Sequence, residues 1–392
     1  MAEALVTPQV IQWARERYHL AIDAAAEKLS IKVEKLNAWE KGNERPSFSQ
    51  AQKLAQKLHI PFGYLFLPNP PNEILPLPDF RTVAGAKPLT PSPDFIDLLN
   101  DILRKQQWFR EYLESEDTLP NQVIGRYTRN DNVNTIAKNI ADVIGVDEKT
   151  RHDVNNWEQF LRVVIKNTEK AGILVFRSGV VGNNNKRKLS VDEFRGFAIS
   201  DQYAPTIFIN SQDAKTAQIF TLAHELVHLW IGESGVSNPD YRKLPSEQQN
   251  ILDRFCDQVA AEVLLPIQEF VEQWITRREL NDNLQQLANQ YRVSEFVVLR
   301  RAYECQKISS EEYYSKYQEL LHTHKRSKSK ESGGDFHRSL LARNSVKLTT
   351  TLFSAAMEGR VSQRDVAMLL NVKVKTLSNI QLGLSNRGII SA

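Results

Sequence analysis

The five residues His224-Glu225-Leu226-Val227-His228 constrain this chain more than any other feature. Apolar residues at Phe220, Ala223, Val227 and Trp230 recur at helical spacing, which predicts a buried helix over 217–230. Residues four apart on a helix share a face, so both imidazoles reach one ion. Imidazole and carboxylate ligands suit Zn2+, and a catalytic zinc site keeps one position open for water. Glu225 directly follows the first histidine, where a carboxylate serves as general base toward that water. Two core histidines with satisfied hydrogen bonds would be the plain alternative. The helical pattern and an adjoining strand speak against it: residues 206–209 read as an edge strand, the element that zinc peptidases use to hold an extended substrate backbone.

A third ligand is expected from the apolar helix over 251–265, which ends at Pro266. Its acids are Asp253, Asp257 and Glu262. Acids on so apolar a helix are costly to bury unless paired or bound to metal. Asp253 and Asp257 share a face, and Glu262 is turned about half a turn from Asp253. Spacing leaves Asp253 and Asp257 level. No spacing singles out an oxyanion donor among Arg195, Tyr203 and Tyr241.

Around this centre the pattern divides the chain. Residues 8–67 read as five short helices, with Pro46 and Pro61 where helices begin. A Pro-rich strip over 67–78 must be extended, and Asp79-Phe80-Arg81-Thr82 is expected to dock beyond it. Helical periodicity resumes over 93–113 and 134–166. Three β-rich runs follow at 172–176, 195–199 and 206–209, and after Asn210 the pattern turns helical and stays so. Residues 283–303 read as two short helices around Val293-Ser294. The expected divisions are a helical domain over 1–70, a Pro-rich linker over 71–93, the main domain over 94–321, a basic linker over 322–337 and a small basic helical module over 338–392.

Composition excludes several classes. With 41% hydrophobic and 25% charged residues the chain has the make-up of a globular protein. Two cysteines, Cys256 and Cys305, cannot build a disulfide framework. Residues 1–10 lack a basic-then-apolar export signal, and no run reaches the ~18 apolar residues that span a bilayer. The expectation is a reduced, cytoplasmic protein with no membrane partner. The formal charge of +3 hides an asymmetry, because residues 322–392 carry twelve Lys/Arg against four Asp/Glu. Such a module suits nucleic acid or an acidic partner, and equally a solvated basic surface.

The stretch from Asn210-Ser211 through His224 to Leu229, followed by 253–266, resembles the ImmA/IrrE metallopeptidases. The segment 78–82 and the helices before it resemble the long members, which carry a Cro/C1-type helix-turn-helix in front. The resemblance spans about residues 8–310. It implies an α+β, mostly helical chain: a zincin-like peptidase domain with a small mixed sheet and the H-E-x-x-H helix, preceded by a five-helix Cro/C1-type domain. It further implies a cytosolic zinc endopeptidase that cleaves or controls a repressor or other regulatory protein. His224 and His228 match the family's ligands and Glu225 its general base. The third ligand is usually Glu in a Glu-x-x-Cys/Ala-Asn context. Here Asp253 stands at that position and Asp257 at the Asn position, which favours Asp253 as ligand. Its shorter side chain requires the helix to sit nearer the ion or to bind it through water.

The segment 24–46 resembles the Cro/C1 signature, in which the second helix of the motif enters the major groove. The residues that would meet DNA are Lys32, Lys35 and Asn37, whereas Glu34 would repel phosphate. Residues 1–60 hold nine basic against seven acidic residues, so protein docking is an equal reading for this domain. Residues 362–378 show a similar helix-turn-helix rhythm with Arg364, Lys373 and Lys375. Three functions follow as expectations. One is a zinc protease recruited by its helical domain. Another is an antitoxin-like regulator that binds a partner protein. The last is a DNA-binding repressor with a structural metal.

Overall fold

The computed structural model describes residues 3–18, 20–72, 77, 91–237, 251–326 and 335–389, and for 323–326 the backbone alone. Two compact units emerge. The first comprises residues 1–76 and 90–97, the second 77–89 and 98–392. The docking segment expected at 79–82 lies outside the described residues.

In the first unit, helices α1 (Pro8–Glu16), α2 (Ile22–Leu29), α3 (Val33–Glu40) and α4 (Phe48–Lys57) precede a 3₁₀ turn at Phe62–Phe66, so the fifth expected helix is a tight turn. Ser47 starts α4 with a capping box, its side chain accepting from the Gln50 amide while the Gln50 side chain accepts from the Ser47 amide. Val10, Ile11, Leu29, Leu36, Trp39 and Leu54 form the core of this unit. Arg15 on α1 reaches Glu40 on α3 at 2.8 Å, joining the ends of both helices.

Helix α5 (Pro93–Ser115) leads into the second unit. The expected helical stretch at 134–166 is three helices, α6 (Val133–Ile144), α7 (Glu148–Asp153) and α8 (Trp157–Lys170). The breaks are chemical. Gly145 ends α6 at φ +66°, and Asp147 and Asn156 cap the two helices that follow.

Three strands then appear where the pattern puts them, β1 (Leu174–Ser178), β2 (Gly196–Ile199) and β3 (Thr206–Asn210), followed by α9 (Lys215–Trp230). A fourth strand, β4 (Gly235–Ser237), corrects the expectation that the chain is helical throughout after Asn210. The sheet order is β1-β3-β2-β4, with β1 parallel to β3 and the other pairs antiparallel. Residues 206–209 are therefore interior, paired on both sides, and not an edge as their sequence suggested.

Alternation along the strands divides the sheet. Val175, Ala198, Ile207 and Ile209 join the core that includes α9, while Phe197 and Phe208 stack on each other at 5.1 Å. Helix α9 is buried from Ala217 through Trp230 and packs on β2 and β3, as expected for a helix apolar on most faces.

Helix α10 (Ile251–Leu264) packs against α9 and α6, and α11 (Ile267–Gln273) follows at once. Residues 283–303 fall in two helices as read, α12 (Leu280–Tyr291) and α13 (Glu295–Glu304), the latter capped by Ser294. Helix α14 (Ser310–Arg326) runs into the stretch expected to be a basic linker. The last helices are α15 (Phe336–Asn344), α16 (Val346–Met357), α17 (Gln363–Leu369) and α18 (Leu377–Ser385).

These last helices belong to the second unit, with α15 against β1 and α16 against α8. Glu169 on α8 accepts from the Ser345 hydroxyl at 2.5 Å and the Val346 amide at 2.9 Å, at the start of α16. Asn371, in the α17–α18 turn at φ +56°, donates its side-chain amide to Asp101 on α5 at 2.8 Å. The turn singled out at 362–378 is thus docked on the unit. Arg364, Lys373 and Lys375 remain exposed.

Candidate metal centre

The fold brings the sequence-predicted residues of α9 and α10 together. His224 and His228 lie one turn apart, with their Nε2 atoms 3.2 Å from each other. Asp253, on the first turn of α10, points Oδ1 at both rings, 3.6 Å from His224 Nε2 and 3.8 Å from His228 Nε2. That oxygen is buried and has no hydrogen-bond partner among the described residues.

The same helix separates the other acids. Asp257 Oδ1 lies 2.9 Å from His224 Nδ1, behind the ring, and Oδ2 lies 4.0 Å from Arg300 Nη1 on α13. Asp257 therefore sets the tautomer and orientation of His224, the usual place for a carboxylate that supports a metal-binding histidine. Glu262 is turned to the far side, where it accepts from the Ile267 amide at 3.1 Å and pairs with Arg301 at 3.3 Å. The level reading of Asp253 and Asp257 resolves into two different positions.

Zinc fits these groups. Tetrahedral bonds of about 2.0–2.1 Å to nitrogen and oxygen hold ligand atoms roughly 3.3 Å apart. The three separations here, 3.2, 3.6 and 3.8 Å, are close to that spacing. The donor atoms of His224, His228 and Cys256 also lie within 4.8 Å of one another, a looser bound than that met by Asp253.

Glu225 lies on the sheet side of α9. Its Oε1 accepts from the Ser237 hydroxyl on β4, and its Oε2 has no hydrogen-bond partner among the described residues. Gly196 on β2, in register with Ser237, gives this carboxylate its space. A Cβ there would meet Thr221 Cγ2 at 2.6 Å, Glu225 Oε1 at 2.7 Å and the Phe208 carbonyl at 3.0 Å. Sequence reading missed Ser237, Gly196 and the supporting place of Asp257. A glycine within a β-rich run was the one available sign, since it marks a close approach.

His224, Glu225 and His228 are fully buried, with relative exposures of 0%. Burial disfavours the charged imidazole of His224, yet Asp253 and Asp257 outweigh it and raise the group to about 10 in the metal-free protein. Burial lowers His228, and the neighbouring His224 charge lowers it further. Glu225 is pushed up to about 8 by burial, against the opposing effects of His224 and Ser237.

Of the remaining candidates, Arg195 is buried and paired with Asp213, and Tyr203 lies in the β2–β3 loop. Tyr241 lies outside the described residues. In the first unit Lys32 is exposed at the N-cap of α3, and Lys35 and Asn37 are half-buried. The Lys35 ammonium sits 5.7 Å from the Trp39 ring centroid.

Two family models match the chain. Residues 168–303 match the IrrE N-terminal-like domain of peptidase family M78, a stretch running from α8 to α13 that contains the sheet, α9 and α10. Residues 11–65 match a helix-turn-helix model. A search of curated proteins finds no match. No helix among the described residues is long and apolar enough to cross a membrane. Over these two stretches the chain is therefore similar to a helix-turn-helix module and an IrrE N-terminal-like peptidase M78 domain, in the order of the long ImmA/IrrE members.

Proposed function

We propose that this protein is a zinc-dependent endopeptidase that acts on a regulatory protein, with the helix-turn-helix module recruiting it to a partner protein or to DNA. The observation that carries this reading is the convergence of His224 Nε2, His228 Nε2 and Asp253 Oδ1 within 3.8 Å of one another, beside Glu225 on the same helix. These three residues would hold the ion. When bound, zinc supplies Lewis-acid chemistry, polarising a substrate carbonyl and acidifying water.

The remaining work falls to the chain's own groups. Asp257 accepts the Nδ1 proton of His224 and keeps Nε2 facing the centre. Glu225 Oε2 takes a proton from the attacking water and returns it to the departing amine nitrogen. Ser237 holds the other oxygen, so the carboxylate cannot rotate away. The apolar walls of α9 and α10 exclude bulk water, which strengthens each of these charge interactions.

The test joins metal analysis to a variant. Purified protein should hold one zinc, and Glu225→Gln should keep the zinc while losing cleavage of co-purifying proteins. A folded sample without zinc overturns the reading.

The burial of His224, Glu225 and His228 favours a second reading, a regulator that works by binding a partner in the manner of an antitoxin. Under it, Glu225→Gln leaves the complex and its effect intact.

A further inference from the structure

The turn at Asn371 repeats, residue for residue, a turn in the first unit. With Ser30 set beside Asn371, Ala26, Leu29, Lys32, Val33, Leu36 and Gly42 recur as Ala367, Leu370, Lys373, Val374, Leu377 and Gly383. Helices α2 and α17 then begin at matching residues, Ile22 and Gln363. Ser30 and Asn371 both hold left-handed backbone, at φ +58° and +56°. The hydrogen bonds of the turn agree as well. The Ile31 amide donates to the Ala26 carbonyl at 3.0 Å, and the Val372 amide to the Ala367 carbonyl at 2.8 Å. The Lys35 amide donates to the Lys32 carbonyl at 3.2 Å, and the Thr376 amide to that of Lys373 at 2.9 Å. Burial keeps the same rhythm, with Leu29, Leu36 and Trp39 answered by Leu370, Leu377 and Ile380. The first of these turns lies in the stretch that matches a helix-turn-helix model. A plain helical hairpin has no need to share register, left-handed residue and turn bonds at once.

The copies differ in two ways. Helix α3 starts directly at Val33, whereas the second copy opens on a 3₁₀ turn, Val374–Thr376, before α18 starts at Leu377. The larger difference is charge. Where the first copy has Asp23 and Glu34, the second has Arg364 and Lys375. Residues 22–42 hold four basic and four acidic side chains, and residues 363–383 hold three and one.

In this motif the second helix enters the major groove by its first residues, and the helix before it crosses the phosphate backbone. Lys373, Lys375, Ser378 and Asn379 run from the cap of the 3₁₀ turn through the first turn of α18, and all four are exposed. Arg364 is exposed on α17. Lysine and arginine neutralise phosphates, and an asparagine amide pairs with the edge of adenine. A carboxylate at the place of Glu34 repels phosphate, and Lys375 at the same place attracts it.

We infer that the C-terminal helices carry a second helix-turn-helix and that this copy binds double-stranded DNA. Arg364, Lys373 and Lys375 meet phosphates, while Ser378 and Asn379 face bases in the major groove. This interface lies beyond the recruitment module at the front of the chain and needs no metal.

The test uses full-length Lys32→Ala/Lys35→Ala protein, in which the first copy lacks its two lysines. A duplex selected by this protein from a random pool is titrated by fluorescence anisotropy across a range of salt. Adding Lys373→Ala and Lys375→Ala should reduce the slope of log affinity against log salt by about 0.9 for each lysine on a phosphate. Asn379→Ala should weaken binding of the selected duplex roughly 10–100-fold and leave an unrelated duplex bound as before. Circular dichroism checks folding, and Lys373→Gln/Lys375→Gln serves should the alanine variant not fold. No selected duplex, an unchanged salt slope or an unaffected Asn379→Ala variant each overturns the inference. So does polyglutamate that competes as well as duplex at equal charge, since the surface would then suit an acidic protein.

Discussion

The Ser237 hydroxyl donates to Oε1 of Glu225, so the three-residue strand β4 is fastened to the carboxylate proposed as general base. Gly196 sits across from Ser237 in the β2–β4 pairing and leaves the gap that the carboxylate fills. Helix and sheet approach this closely here because Gly196 has no side chain.

Gly196→Ala should therefore be a destabilising change. The added methyl meets Thr221, Glu225 and a backbone carbonyl at 3.0 Å or less, and the strand is paired on both sides. Overpacking of this kind costs about 1–3 kcal/mol. The urea midpoint should fall accordingly, and an unchanged midpoint would show that the helix moves aside freely.

Asp257→Asn should weaken zinc binding by about 10–100-fold while the fold persists, since it removes the carboxylate behind His224. Glu262→Gln is the control on the same helix. It should leave zinc affinity near that of the parent and lower stability, because Glu262 serves the Ile267 amide and Arg301. Chelator competition and thermal melting separate the two.

Glu169 supplies a pH prediction. Burial raises its pKa, against the lowering effect of hydrogen bonds from Ser345 and the amides that follow. A folded pKa above the unfolded value stabilises the protein below about 4.3, and that contribution fades as pH rises through the folded pKa. The melting temperature of the parent relative to Glu169→Gln should thus be highest in acid and decline toward neutrality. A difference that grows with pH would contradict the sign.

Where α3 meets DNA, Lys32→Ala should lower the slope of log affinity against log salt by about one and weaken all sequences alike. The exposed position of Lys32 at the start of α3 motivates this expectation. No affinity for DNA at low salt would leave the module as a protein-docking unit.

What was legible in the sequence was local. The histidine pair and Glu225 sit on one helix, where a fixed rise and rotation turn spacing into geometry. Asp253 and Asp257 share a face of α10, and spacing within a helix does not say which of them a second helix will meet. Their separation into two positions came from the packing of α10 on α9. Residues 206–209 have the composition of a strand, but interior or edge placement depends on partners far along the chain. Gly235-Val236-Ser237 is too short for any periodicity, and its strand character comes from pairing with β2. Helix α14 overran the expected linker because Lys, Arg and His extend a helix as readily as they populate a loop.

Helix α15 packs against β1, which is the outermost strand of the sheet beside β3. Its residues Leu174, Val175 and Phe176 are apolar and buried. Cutting the chain before Phe336 would uncover this strand and leave an adhesive border on which another copy could add a strand of its own. The C-terminal helices are therefore a guard against self-association as much as an appendage, and dissection of the second unit should keep them.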